Sequence, residues 1–229
     1  MNLNKVYLSL GSNLGDKIKN LQSAINLIDT SIGDVLSISN VYKTKSKGFI
    51  GGDFFNCCIS VVTEFNPTHL IDKLLEIESL EGRVRSNSVK HESRVIDIDV
   101  LLYEDRIINE TNLVIPHPRM HLRNFVLYPL SDIAKSKIHP ILNDTTINLL
   151  NRLKSTEILK SDEVLLLPVL SKLQSFKNIV IEGNIGVGKT TLSKKLSNDL
   201  NKDLIIEGFM DNPFLEKYYN NPDRYALNV

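Results

Sequence analysis

The spacing of apolar side chains changes several times along this chain, and each change marks an element. Residues 5–10 (KVYLSL) alternate apolar and polar positions, as a short strand does. Gly11-Ser12-Asn13-Leu14-Gly15-Asp16 breaks the alternation. Ile18, Leu21, Ile25 and Ile28 follow at helical spacing, which predicts a helix over 16–29 with Asp16 as its N-cap. Residues 34–43 alternate again, with Leu36, Ile38 and Tyr42 on one side and Val35 and Val41 on the other. The polar stretch from Thr44 to Asp53 reads as a loop, and 54–63 (FFNCCISVVT) as a buried strand. Asn66-Pro67 opens a helix with proline at its first position, continued by Leu70, Ile71, Leu74, Leu75 and Glu78. Residues 95–103 (VIDIDVLLY) predict a strand, with 106–109 as its hairpin partner. The region 116–134 mixes prolines, basic residues and a short apolar helix.

The order β-α-β-β-α-β plus trailing helices predicts an α+β domain. It is the split βαβ, ferredoxin-like order, an antiparallel sheet with helices on one face. A generic α+β sandwich is the alternative. The pattern changes after about residue 150. Residues 151–175 are amphipathic and mixed in charge, as a connecting segment would be. A strand at 178–182 (NIVIE), a glycine-rich loop, a helix from 189 to about 200 and a strand at 204–207 (LIIE) then open a doubly wound nucleotide-binding pattern. The expected organisation is a first domain over 1–150, a linker over 151–175 and a partial α/β P-loop domain over 176–229.

Composition narrows the classes. Lys+Arg 27 against Asp+Glu 27 gives no net field to draw in nucleic acid or an anionic membrane. No run of 18 apolar residues is present, so no membrane span is expected. Cys57 and Cys58 are the only cysteines and are adjacent in a strand, where neighbours point to opposite faces, so neither a disulfide framework nor a zinc site is expected. The expectation is a reduced, cytosolic, soluble protein acting on small molecules. Oligomeric state is not legible.

Two constellations carry chemistry. Asp97 and Asp99 lie two apart in a strand, so both carboxylates share one face about 6–7 Å apart, a pattern that suits one or two Mg²⁺ ions or a merely solvated face. Arg83, Arg85 and Arg94 precede them, and His117, Arg119, His121 and Arg123 follow. Mg²⁺ with several arginines suits a polyphosphate, because guanidinium donors pair with phosphate oxygens. In the second segment Gly183-x-x-x-x-Gly188-Lys189-Thr190 is a Walker A motif after a strand and opening a helix. Its glycines let backbone N–H groups wrap phosphate. Lys189 would reach the β and γ oxygens, and Thr190 would hold Mg²⁺.

The first part of the chain resembles the 6-hydroxymethyl-7,8-dihydropterin pyrophosphokinases of folate biosynthesis. The resemblance rests on YLSLGSNLGD (7–16), VYKTKSKG (41–48), DFFNCCISV (53–61), IESLEGRVR (77–85), SRVIDIDVLLY (93–103) and VIPHPRMHLRNFVLYPL (114–130), in the family's order. It implies ATP and two Mg²⁺ ions, with transfer of the β,γ-pyrophosphoryl group to the pterin hydroxymethyl oxygen and release of AMP. By resemblance Asp97 and Asp99 hold metal, and Arg83 and Arg94 act on the triphosphate. Glu78, Arg85, His117 and Arg123 lie on the ATP side. Asn56 bonds the pterin, Phe54 and Phe125 stack on it, and Thr44 lies in the loop that reads its edge. The chain departs from the family in three places. It has no Trp, with Lys90-His91 before the arginine-aspartate strand. It has Lys45-Ser46-Lys47 where many relatives carry prolines, and Asn112 where some carry arginine.

The second segment resembles the start of the deoxynucleoside kinases, through IVIEGNIGVGKTTL (179–192) and IIEGFMDNPFLEKYYNNPDRYA (205–226). That resemblance implies a general-base role for Glu207. Residues 176–229 are too few for a full doubly wound sheet, since about 60 residues bury only about 60% of their unfolded surface. A fragment of a longer fusion, or an alternative end, is therefore expected. Pterin pyrophosphokinase is the leading functional reading. Deoxynucleoside 5′-phosphorylation through the P-loop segment is the second, and a non-catalytic nucleotide-binding module the third.

Overall fold

The alternation that opens the chain builds the central strand of its first unit. In the computed structural model, β1 (Asn4–Ser12) pairs antiparallel with β4 (Phe54–Thr63) on one side and β5 (Asp97–Tyr103) on the other. β2 (Gly33–Ile38) and β3 (Tyr42–Thr44) both pair along the far edge of β4. The structure describes residues 3–46, 51–83, 93–153, 158–184, 186–206 and 220. With α1 (Lys17–Ser31) and α2 (Pro67–Leu80), the expected β-α-β-β-α-β order of an antiparallel α+β sheet is present with one strand more between the helices. The interval 34–43 is two strands rather than one, because the register slips between Val35 and Ser37 and residues 39–41 leave the ladder.

Both helix starts are where the sequence puts them. Asp16 Oδ1 accepts from the Lys19 N–H at 3.1 Å, and Asn66 Oδ1 from the His69 N–H at 2.9 Å, each satisfying an otherwise orphaned first-turn donor. Gly33 follows α1 where the chain crosses β4. A Cβ there would meet the Val62 carbonyl oxygen at 2.2 Å, so only glycine fits.

Period two sorts the sheet into two faces. Leu8, Leu10, Ile59 and Ile98 pack with Leu21, Ile25 and Ile28 of α1 and with Leu70, Leu74 and Ile77 of α2. On the opposite face Tyr7, Cys58, Leu101 and Leu102 pack with Val126, Leu127 and Leu130 of α3 (Asn124–Ala134). The two helices of the β-α-β-β-α-β unit thus share one face as expected, and the trailing helix α3 covers the other. A bulge against Tyr7–Leu8 turns Leu101 as well as Leu102 toward α3, which gives that apolar helix a surface to bury. Further along the same strands this face carries Asn56, Gly11 and Asp97 instead of apolar residues.

Residues 106–109 do not form a hairpin with β5. Instead β6 (Ile108–Glu110) pairs with β7 (Leu113–Ile115), whose Leu113 and Ile115 supply the buried side chains. The hairpin β8 (Ile138–His139) and β9 (Asp144–Thr145) leads into α4 (Thr146–Arg152).

The segment expected to be a linker is largely structure. β10 (Leu159–Lys160) pairs with β3, and Leu165, 9% exposed, joins the core beneath α1 and α2. The Leu166 N–H donates to Gln22 Oε1 at 2.7 Å, and its carbonyl accepts from Gln22 Nε2 at 2.9 Å. The chain accordingly divides into Met1–Ser171 and Lys172–Val229, with α5 (Pro168–Gln174) at the division. In the second unit the expected helix is present as α6 (Lys189–Leu200). Residues 178–182 and 204–206 are not strands, and Ile205 is 93% exposed. A parallel strand holds only with ladder partners and helices over both faces, and the described residues of this unit supply no such partner. Among the described residues no helix is long and apolar enough to cross a membrane.

If the stretch near residue 165 belongs to the core, Leu165→Ala destabilises the protein by about 2 kcal/mol or more. Urea denaturation measures this. A connecting segment would leave the midpoint unchanged.

Candidate active site

Four strands lay one row of residues across the sheet. Tyr42 of β3 opposes Asn56 of β4, Asn56 opposes Gly11 of β1, and Gly11 opposes Asp97 of β5. The next row on the same face is Cys58, Ser9 and Asp99. Alternation therefore brings Phe54, Asn56, Asp97 and Asp99 to one face from strands far apart in sequence.

The amide end of the row is preorganised. Asn56 is 4% exposed, and its Nδ2 donates to Thr44 Oγ1 at 3.0 Å and to the Tyr42 carbonyl at 3.4 Å. A Cβ on Gly11 would stand 3.1 Å from Asn56 Oδ1 and 3.8 Å from Phe54 Cδ1. Glycine thus leaves the space above the row open between the amide and the acidic strand. Phe54 is half-buried on the same strand face. Phe125 is half-buried at the start of α3, with the Arg123 guanidinium 5.5 Å from its ring centroid.

The charged end is a chain of ion pairs. Asp97 Oδ1 accepts from Arg83 Nη1 at 2.5 Å, and Oδ2 from Arg94 Nη1 at 2.7 Å. Arg83 also donates to Glu78 Oε1, and that oxygen accepts the Ile98 backbone N–H at 2.8 Å. Glu78 is 2% exposed. The expectation that it faces ATP is therefore corrected. A buried carboxylate needs partners, and this one ties α2 to β5 and holds Arg83. Asp99 Oδ2 lies 3.4 Å from Arg123 Nη1 and 3.7 Å from His117 Nε2. His117 is held beside β5 by its N–H to the Leu101 carbonyl at 2.9 Å, and its Nδ1 accepts from the Arg119 N–H at 3.1 Å. Burial pulls the His117 pKa below the usual histidine value, although the Asp99 carboxylate opposes it. Burial, and then the Asp97 charge, push the Asp99 carboxyl above the usual aspartate range.

A cleft of about 370 Å³ opens beside Asp99 and His117. Ile71, Leu74 and Leu75 of α2 form one wall, Leu113 and Val114 of β7 the other, and Asn112 lies on the rim. The periodicity of α2 predicts a helix but not this cleft, whose far wall comes from β7. Its one legible signal is the doublet Leu74-Leu75, too wide for a single buried stripe, and Leu75 is 38% exposed.

The residues present fit Mg²⁺. Asp97 and Asp99 offer hard carboxylate oxygens on one face, and the Asp99 pKa is raised first by burial and then by the Asp97 charge, the second of which a dication would offset. Among the described residues no third acidic, histidine or cysteine ligand joins them. That set suits a magnesium ion whose remaining positions are taken by water and substrate phosphate. Cys57 and Cys58 are free and buried. Burial pushes the Cys57 thiol up to about 12 and Cys58 well above its usual value, so neither is a nucleophile at neutral pH.

The expected sites on Arg85 and Glu207 lie outside the described residues, as do Lys90 and His91. The P-loop residues belong to the second unit. Gly183, Gly186 and Gly188 take φ of 154°, 81° and 92°, which glycine alone adopts freely. Lys189 Nζ donates to the Gly183 carbonyl and, at 2.8 Å, to the Asn184 carbonyl. Thr190 is exposed in the first turn of α6.

Comparison with known proteins agrees with this geometry. A family model described as 7,8-dihydro-6-hydroxymethylpterin-pyrophosphokinase matches residues 7–135, and one described as deoxynucleoside kinase matches 179–229. The folic acid synthesis protein FOL1 of Dictyostelium discoideum is 41% identical over 152 residues, 66% of this chain and 22% of that protein. The chain thus spans about a fifth of that relative's length. The 2-amino-4-hydroxy-6-hydroxymethyldihydropteridine pyrophosphokinase of Aquifex aeolicus is 39% identical over 137 residues, 59% of this chain and 84% of that protein. Wild-type Plasmodium falciparum HPPK-DHPS with SDX-DHP has the same fold over 66% of this chain and 44% of that one, with TM-score 0.56 and 18% identity. The match over residues 7–135 takes in every strand of the row and both aspartates, and the chain belongs to the 7,8-dihydro-6-hydroxymethylpterin-pyrophosphokinase family.

Proposed function

We propose that this protein transfers the β,γ-pyrophosphoryl group of ATP to the hydroxymethyl oxygen of 6-hydroxymethyl-7,8-dihydropterin and releases AMP. The observation that carries this reading is the row Asn56–Gly11–Asp97, which sets a buried amide and an arginine-held acidic strand on one open face. Membership of the pyrophosphokinase family supports it.

In this reading the pterin edge bonds Asn56, beside the Thr44 hydroxyl, and the rings of Phe54 and Phe125 supply apolar faces for the heterocycle. The adenine lies in the cleft between α2 and β7, and its triphosphate runs past His117 and Arg123 toward Asp97. Arg83 and Arg94 are already oriented by Asp97, so they bind phosphate oxygens without first being ordered. Burial lowers the His117 pKa, its Nδ1 accepts the Arg119 N–H, and its Nε2 lies 3.4 Å from Arg123 Nη1, beside the path of the triphosphate.

Among the described residues three arginines (Arg83, Arg94, Arg123) balance three carboxylates (Glu78, Asp97, Asp99). Two Mg²⁺ ions on Asp97 and Asp99 would neutralise the phosphate charge that builds during in-line transfer. The free, buried cysteines support a reducing, cytoplasmic setting. A second reading rests on the deoxynucleoside kinase match over 179–229, and it assigns ADP-forming 5′-phosphorylation to the loop around Lys189.

Product identity separates the two readings. Incubation with Mg²⁺-ATP and the hydroxymethyl pterin should give AMP, and Asp97→Ala should lower its rate by about 10²-fold or more. ADP arising with a deoxynucleoside, and no AMP with the pterin, would sink the first reading.

Asp99 gives a second, pH-dependent expectation. Its carboxyl binds a proton more tightly folded than unfolded. The stability from this group is therefore full below pH of about 4 and is lost as pH rises through the raised folded value. At pH 7 the ionised side chain is a cost to the metal-free protein. Asp99→Asn should abolish AMP formation without lowering the metal-free melting temperature at pH 7. Mg²⁺ should raise the parent's melting temperature more than the variant's. An Asp99→Asn protein that melts well below its parent, followed by calorimetry, would refute this electrostatic account.

A further inference from the structure

Asn13 lies in the Gly11–Gly15 turn, and the roles given to the substrates leave it unused. It is 4% exposed. Its Oδ1 accepts the Arg94 backbone N–H at 2.7 Å, and its own backbone N–H donates to the Arg94 carbonyl at 3.2 Å. Its Nδ2 donates to Ser93 Oγ at 3.2 Å and to the Gly52 carbonyl at 3.4 Å. The amide orientation is fixed by these partners, because a backbone N–H can only donate and a carbonyl can only accept. One side chain therefore ties the residues just before β4, on the amide side of the site, to the residue whose guanidinium holds Asp97 Oδ2.

Two further contacts bear on the same segments. Asn20 Nδ2 on α1 donates to the Val95 carbonyl at 3.3 Å and to the Leu14 carbonyl at 2.8 Å, so the turn and the approach to β5 share a second bracket. A Cβ on Gly52 would stand 3.2 Å from the Asn13 carbonyl oxygen, so the Asp53 side of the loop packs closely on the same turn. Arg94 has no secondary structure of its own to fix it. Its backbone is pinned on both sides by Asn13, and its guanidinium reaches Asp97 from there.

We propose that Asn13 is a positioning residue for pyrophosphoryl transfer. By clamping the Arg94 backbone it fixes the Arg94 guanidinium on Asp97, and through Gly52 it couples that clamp to the amide side of the site. The proposal rests on the pyrophosphokinase reading above. Asn13 touches neither substrate in that reading, so its loss acts on kcat through Arg94 rather than on ground-state binding.

The test is a double-mutant cycle on AMP formation, with the parent enzyme's activity as the control for the underlying reading. Asn13→Ala should lower kcat about tenfold or more, with KM for ATP and pterin changed less than about threefold. In an Arg94→Ala background the same change should cost less than about twofold, because the group it positions is gone. Equal losses in both backgrounds would overturn the proposal, as would an unchanged kcat in a folded Asn13→Ala protein. Asn13→Asp is the second variant, for the case in which alanine at this buried position does not fold. It keeps an acceptor for the Arg94 N–H but loses the donor to Gly52, so its kcat should fall between those of the parent and Arg94→Ala. A folded Asn13→Asp enzyme as slow as Arg94→Ala would also overturn the proposal. A parent enzyme that forms no AMP would instead refute the pyrophosphokinase reading itself.

Discussion

The antiparallel register of β1 between β4 and β5 is the constraint on which the rest of the first unit depends. Gly11 faces Asn56 on one side and Asp97 on the other, so residues over forty positions apart in sequence meet in one row. Because side chains alternate strictly, a one-residue slip of β5 against β1 would send both aspartates into the apolar core and bring Ile98 to the open face, and the same slip of β4 would bury Asn56 among the apolar residues. The apolar partners of Leu8, Leu10, Ile59 and Ile98 beneath the sheet forbid that slip. Core packing and site geometry are thus one requirement, and helix burial under the sheet holds the reacting groups above it.

The charged half of the site is ordered before any substrate arrives. Glu78 is buried, and its carboxylate spans Arg83 and the Ile98 N–H, which fixes α2 against the acidic strand. Asp97 is held by two arginines, while Asp99 is raised in pKa by burial and by Asp97. The asymmetry divides the pair. Asp97 is paired on both oxygens by arginines, and Asp99 is the more weakly paired of the two, with Arg123 at 3.4 Å and His117 at 3.7 Å.

The second unit differs in physical character. Its loop has the glycine conformations and the helix start of a phosphate-binding turn, and Lys189 rests on the loop's own carbonyls. Among the described residues, those flanking the loop have no sheet in which to bury Val180 and Ile205. A local motif forms from local contacts, whereas its strands need neighbours.

The sequence by itself determined much of this protein. Apolar periodicity placed β1, β4, α1 and α2, and the caps Asp16 and Asn66 marked both helix starts, because these depend on contacts within a few residues. The spacing of Asp97 and Asp99 and the arginines around them marked the charged site for the same reason. What only the tertiary structure decided depends on partners distant in the chain. α3 covers the opposite face because a bulge on β5 gives it a surface. Leu165 is core, and the stretch around it is ordered, because β3 pairs with β10 and Gln22 brackets Leu166. Glu78 is a strut rather than an ATP contact because β5 covers it. The cleft between α2 and β7 and the Asn13 clamp exist only once strands remote in sequence are adjacent. Periodicity reports whether a side chain is to be buried, and only the assembled fold reports against what.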